Sequence, residues 1–426
     1  MSRHVIVVGA GLQGVCSAYY LARGGAQVTV LERNSGPARE ASFGNGGYLQ
    51  FECPEPWNRP GVLRALPGWW WESLGANRKT APKLLRTSQL LRLVPWGLRF
   101  LRAATTETFL RNTTLNRELG QYSRECMAQL REEERIDYAQ RACGSLFVFR
   151  DRAALDGYLP ILEHLGEAGA VWERLDRDML LQHEPSLAPI ADRLEGAIRF
   201  PREESGDSAR FTQALAGRAA ELGVDFRYDT PVLGIENGAS GLSVRTADEP
   251  LRADAVVIAA ATYSTRLARP LGIRLPVAPA KGYALTIPLE DWPMRPRHVI
   301  ADMGVHAAVN VLGDALRVAG TVDFAGADTH LHPDRVAYMM GLVEAVLPDF
   351  AQSLDPATVE PFTGLRPLSA DGLPLVGRTD VPGVFVNTGH GGLGWTQAAG
   401  SGRMLADMLL GETPAVDPEP FRPQRR

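Results

Sequence analysis

A chain of 426 residues has room for two domains, each with its own core. Its 45% hydrophobic and 22% charged content suits a soluble globular enzyme, and a net charge of -4 argues against nucleic acid as the main partner. Four scattered cysteines, Cys16, Cys53, Cys126 and Cys143, have no metal-ligand spacing and predict a reducing, cytoplasmic location without a bound metal. Arg3 and His4 lead straight into a strand with no sign of a signal peptide, and no apolar run nears the ~20 residues needed to cross a bilayer.

The first element is HVIVVG at 4–9, a strand buried on both faces as in a parallel sheet. Gly9, Gly11 and Gly14 follow in the spacing G-x-G-x-x-G and open a helix over about 12–24. Gly9 allows the tight turn, Gly11 lets the backbone approach a pyrophosphate, and Gly14 lets the helix pack on the strand. The start of the helix, with Leu12 and Gln13, aims free amides and the positive end of the dipole at the phosphates. A second strand, QVTVLE, ends on Glu32, placed to bind ribose hydroxyls, with Arg33 beside it. Strand, turn, helix, strand and terminal acid in this order predict a bound dinucleotide. NAD and FAD share the fingerprint. The glycine-rich stretch NSGPAREASFGNGGY and a long tryptophan-rich segment, in place of another βα unit, favour FAD.

Residues 57–111 carry Trp57, Trp69, Trp70, Trp71 and Trp96, and from 61 to 111 nine arginines and lysines stand against two acids. This composition fits a peripheral contact with an anionic membrane, where a quinone collects electrons, or an ordinary helix pair with buried tryptophans. Further on, ARFTQALAGRAAELGVDFRYDTPVLGIE reads as a helix, a strand at about 224–228 and another near 232–236, with Val232 set against the cofactor. An apolar run at 255–261 suits one more buried parallel strand. GSLFVFR, GYALTIP, HAAVNVL and ALRVAGTV alternate like strands of an antiparallel sheet, with a helix near 334–346. The chain closes with a strand, the glycine loop GHGGLGW and a long helix. Residues 1–55, 196–275 and 361–426 are thus expected to form the FAD-binding domain, and 56–195 and 276–360 the substrate domain.

The motifs VVGAGLQGV, ASFGNGG, PREESGDSARFTQAL, PVAPAKGYALTIP, TGLRPLSADGLPLVGR and NTGHGGLGWTQAAGSG give the whole chain a resemblance to the glycine-oxidase and D-amino-acid-oxidase family of flavoenzymes. The resemblance implies an α/β fold: a Rossmann-like, glutathione-reductase-type FAD domain interrupted by an α+β substrate domain. It also implies non-covalent FAD and hydride removal from the α-carbon of an amino acid, a D-amino acid in the branch it most resembles. The imino acid formed then hydrolyses to a 2-oxo acid and ammonia. A cyclic imino acid such as D-proline or cis-4-hydroxy-D-proline is an alternative substrate. A non-catalytic FAD-carrying electron-transfer subunit is a lower alternative.

Arg366 lies between apolar residues and before Pro367, and a fixed guanidinium suits bidentate binding of a carboxylate; the matching arginine of the family holds the substrate carboxylate. Gly391, Gly392, Leu393 and Gly394, with Thr396 in the first turn, are expected to present amides and a helix dipole to the flavin where reduction adds negative charge. His390 is an alternative catalytic base. Ser42 and Asn45 are expected to bond the pyrophosphate or ring, with Gly46 and Gly47 letting the backbone pass closely. Lys281 and Tyr283 share one face of a strand, and the resemblance implies that a tyrosine there assists carboxylate binding. Glu52, Glu55 and a strand-borne His306 are the expected determinants of side-chain preference.

Overall fold

The computed structural model describes residues 3–62, 64, 68, 83–86, 89–238 and 241–425. The apolar runs read from the sequence form the centre of a six-stranded sheet. Its order is Leu375–Arg378, Val384–Thr388, Ala255–Ile258, His4–Val8, Gln27–Leu31 and Asp225–Arg227, all parallel except the first pair. Alternation along His4–Val8 splits the burial between two cores. Val5 and Val7 meet the first helix, Leu12–Arg23, and the closing helix, Ala398–Leu410; Ile6 and Val8 meet a small three-stranded sheet on the other side. The two helices approach closely because one residue is small: a Cβ on Gly402 would lie 2.6 Å from that of Cys16.

A second sheet has nine strands, mostly antiparallel, as expected, with two parallel pairs. Its central run is Glu360–Ser369, Val277–Pro288, Ala315–Phe324, Ala307–Leu312, Val299–Asp302, Ser145–Phe149, Gly196–Phe200 and Glu173–Leu175. On one face Tyr283, Leu285 and Ile287 pack under the helix Pro333–Val346.

Two strands differ from the boundaries drawn above. Gly196–Phe200 pairs with Ser145–Phe149, and Glu360–Ser369 runs antiparallel to Val277–Pro288, so both belong to the larger sheet. Conversely, the helix Thr106–Glu134 lays Leu119, Met127 and Leu130 into the core beneath the six-stranded sheet. The sequence of a buried strand such as GAIRF is compatible with either sheet; its hydrogen-bonding neighbour decides.

Candidate active site

A cavity of ≈ 740 Å³ runs from the carboxyl ends of His4–Val8 and Gln27–Leu31 to a face of the nine-stranded sheet, the usual position for a ligand in an open α/β sheet. The size falls within the range of ligand pockets. At the near end Gly9 has φ 105°, and a Cβ there would lie 2.8 Å from the carbonyl of Ala259. Gly14 is off the cavity and packs helix on strand, since its Cβ would lie 1.9 Å from the carbonyl of Gly9. Glu32 lines the cavity with its carboxylate held in place: Oε2 accepts from the amide of Ala10 at 2.8 Å, Oε1 from the amide of Asn34 at 2.8 Å and its Nδ2 at 2.7 Å. Lone pairs remain for ribose hydroxyls. Arg33 pairs with Glu40 and lies 3.9 Å over the ring of Tyr263, giving this end a flat wall together with Val232.

Along the middle, Ser42 Oγ accepts from the amide of Leu12 at 3.1 Å and so caps the first helix. Asn45 lines the cavity, but its Oδ1 accepts from the amide of Gly47 at 2.9 Å, closing its own turn. Gly46 borders the space; Gly47 does not, and is a glycine because φ is 72°. The loop rests on Arg317, whose buried guanidinium donates to the carbonyls of Asn45 at 2.6 Å and Phe43 at 3.3 Å. Sequence reasoning missed Arg317, which sits 272 positions from Asn45.

The C-terminal loop is only partly as expected. Gly391, Gly392 and Gly394 border the cavity, and Gln13 Nε2 ties the first helix to the carbonyl of Gly394 at 2.8 Å. Leu393 does not border it: its amide is spent on the carbonyl of His390 at 2.9 Å in a tight 3-10 turn, and its side chain is buried. The α-helix begins only at Ala398, so the dipole lies farther back than predicted. Thr396 faces the core, where its hydroxyl accepts from the amide of Gln50 at 3.0 Å. His390 is a poor base. Its ring is buried against Ser401 at 3.2 Å, and burial pulls its pKa down to about 3.

At the far end, the guanidinium of Arg366 lies over Gly282 on the neighbouring strand. A Cβ on Gly282 would come within 1.8 Å of Arg366 Nη1. Arg366 is half-buried, desolvation lowers the pKa of its guanidinium, and its hydrogen bond to the carbonyl of Thr321 is a long 3.4 Å. Among the described residues no carboxylate pairs with it; Asp323 is engaged by Arg335 at 2.7 Å. Lys281 and Tyr283 do share a face, as periodicity predicts, but it is the opposite one. Lys281 is fully buried, donates to the carbonyl of His330, pairs with Asp328 at 3.4 Å and lies 5.2 Å from the Tyr283 ring centre. Neither touches the cavity. The signal that could have set the phase was present: a glycine inside a strand marks a close approach.

Glu52 is also misplaced by the sequence reading. It is fully buried away from the cavity, paired with Arg117 at 3.1 Å and accepting from the amide of Val171 at 3.3 Å. Glu55 borders the cavity, matched by Arg59 at 2.7 Å, which in turn lies 4.6 Å over the ring of Tyr158. His306 borders it too, from a hairpin turn with φ 57° rather than from a strand. Trp57 and Phe100 were not foreseen as walls of this space. Phe100 comes from the helix Leu90–Ala103, where Trp96 stacks on it at 4.8 Å and donates to the carbonyl of Leu368 at 3.0 Å. Trp69, Trp70 and Trp71 lie outside the described residues.

A dinucleotide fingerprint, a glycine-walled channel and a guanidinium with no paired carboxylate among the described residues, all on one cavity, define a flavin-dependent oxidoreductase. Comparison with known proteins agrees. Residues 4–408 match the family described as FAD dependent oxidoreductase. A D-amino acid dehydrogenase of Rhizobium johnstonii is 38% identical over 97% of both chains. Among solved structures, glycine oxidase from Geobacillus kaustophilus superposes with a TM-score of 0.77 at 21% identity over all of both chains. L-proline dehydrogenase from P. horikoshii reaches 0.76 at 17% identity, covering 100% of this chain and 97% of that one. The chain belongs to the FAD dependent oxidoreductase family.

Proposed function

We propose that this enzyme oxidises a D-amino acid to its imino acid, which hydrolyses to the 2-oxo acid and ammonia. The observation that carries this reading is Arg366: a half-buried guanidinium with no carboxylate paired to it among the described residues, lying over Gly282 in the cavity that holds the dinucleotide fingerprint. A substrate carboxylate supplies the missing charge, and charge-assisted bidentate bonds fix its orientation. The D configuration draws support from the 38% identical relative of that name.

The glycines at 9, 11 and 46, the carboxylate of Glu32 and the loop at 391–394 fit an extended flavin dinucleotide. FAD bound there supplies the two-electron acceptor for the hydride of the substrate α-carbon. Arg366 anchors the acid group, and Trp57 and Phe100 help keep water from the reacting atoms. Orientation of this kind can hold reacting atoms about 3–3.5 Å apart. Non-covalent attachment is supported by Cys53. It borders the cavity, but burial pushes its thiol well above the ordinary pKa, so no thiolate is offered for a thioether. The test is anaerobic mixing of the yellow holoenzyme with paired D- and L-amino acids. D-isomers should bleach the flavin and L-isomers should not; a flavin bleached by neither sinks the reading.

We further propose that the electrons pass to a quinone at a membrane surface. Support comes from the helix Leu90–Ala103, which turns Phe100 to the cavity and exposes Leu91, Val94 and Leu98 beside Arg92, Arg99 and Arg102. No helix among the described residues is long and apolar enough to span a bilayer. Anionic liposomes should sediment the protein at low salt and release it at high salt; no sedimentation at low salt rejects the contact.

A further inference from the structure

Opposite Gly282 the larger sheet departs from regular pairing. Lys281 faces Asp323 and Tyr283 faces Gly320, so two residues, Thr321 and Val322, stand against the single Gly282. This is a β-bulge, a device that re-aims a side chain and is frequent beside active sites. Thr321 takes φ 62°, which a β-branched residue rarely adopts. It is 5% exposed and borders the cavity, and among the described residues its hydroxyl has no hydrogen-bond partner. Its carbonyl accepts from Arg366 Nη1. A strained backbone, an orphan hydroxyl and contact with the carboxylate anchor therefore coincide at one residue, and strain of this sort gathers at functional sites.

We infer that Thr321 holds the α-nitrogen of the substrate while Arg366 holds its carboxylate. This rests on the amino-acid reading above. The two groups of an amino acid leave the same carbon, so a residue bonded to the carboxylate anchor is placed to meet the nitrogen. Arg366 has donors only, whereas the threonine hydroxyl can accept from the N–H of an amine. Rotation about χ1 exchanges hydroxyl and methyl without moving the strained backbone. Thr321 then aligns the nitrogen with the α-carbon that loses the hydride, and serves an amine or a cyclic imine precursor alike, since each carries an N–H.

The experiment compares wild-type, Thr321→Val and Thr321→Ser holoenzymes. Flavin bleaching is titrated with D-alanine, D-leucine and D-arginine, and competition is measured with propionate, a carboxylate without nitrogen. Thr321→Val should raise the half-saturating amino-acid concentration by about tenfold, the worth of one well-made hydrogen bond. Propionate competition and the melting temperature should stay at wild-type values, and Thr321→Ser should restore the amino-acid response. Wild-type constants in Thr321→Val overturn the inference. Equal weakening of propionate, or a lowered melting temperature, overturns it too by making the hydroxyl structural. A wild-type flavin that none of the three amino acids bleaches removes both this inference and the amino-acid reading; normal bleaching with an unaffected valine variant removes this inference alone.

Discussion

At its Gly9 end the cavity is bordered by Glu32 and Arg33, both engaged by groups of the protein itself, whereas at its Arg366 end a cation stands without a paired acid among the described residues. Glu32 receives three donors, and Arg33 has Glu40. Among the described residues Arg366 has one long bond, to a carbonyl, and Thr321 beside it has a hydroxyl without a partner. The contrast separates two kinds of recognition. A cofactor that stays bound is served by a rigid, self-satisfied wall, which costs little to keep when the ligand is in place. On the proposed reading, a substrate that comes and goes is selected by an unmet demand, because a guanidinium partly shielded from water binds a carboxylate more strongly than a fully exposed one does.

The comparison breaks most clearly at Arg366. Arg366→Ala should retain its flavin yet need about 10²- to 10³-fold more amino acid for half-maximal bleaching, on the order of 3–4 kcal/mol. Unchanged titration would deny that the charge is unmet. Gly282→Ala tests the same end through shape alone. A methyl 1.8 Å from Nη1 must displace the guanidinium, and a misplacement of about 1 Å can cost up to about 10²-fold in the rate of flavin reduction. A normal rate would mean that the close approach is incidental.

The near end should respond differently. Glu32→Gln keeps one acceptor oxygen and should lower flavin retention by about tenfold, read as the flavin-to-protein ratio after dialysis, with little change in the amino-acid titration of the flavin that remains. A third, smaller case is Glu203, which is fully buried and accepts from Tyr48, Ser145 and the amide of Glu52. Burial raises its pKa from 4.5 to about 7. The folded state therefore binds the proton more tightly than the unfolded state, and stability should fall as pH rises from 4.5 through about 7. Glu203→Gln should flatten this slope in thermal melts across that window; a slope identical to wild type would show that Glu203 ionises normally.

Legibility in the sequence followed the same division. The near end was readable almost residue by residue, since Gly9, Gly14 and Glu32 act through one continuous strand–helix–strand segment. The far end was readable only in part. Arg366 was found, but Lys281 and Tyr283 were assigned to the wrong face of their strand, because a period of two yields two faces and no local signal except Gly282 says which is covered. Glu52 looked available as a pocket acid until the helix Thr106–Glu134 brought Arg117 to it. Trp57, Phe100 and Thr321 carried no pattern that marked them as walls of the site.

What the sequence determined by itself was the dinucleotide fingerprint, the FAD-dependent family and the arginine here proposed as the anchor: backbone turns and helix starts are set by residues a few positions apart. Only the tertiary structure decided which strands share a sheet, which face of Val277–Pro288 meets the cavity, and which buried charges find a partner. Those outcomes depend on packing between segments tens to hundreds of positions apart, whose burial and pairing energies no local spacing records.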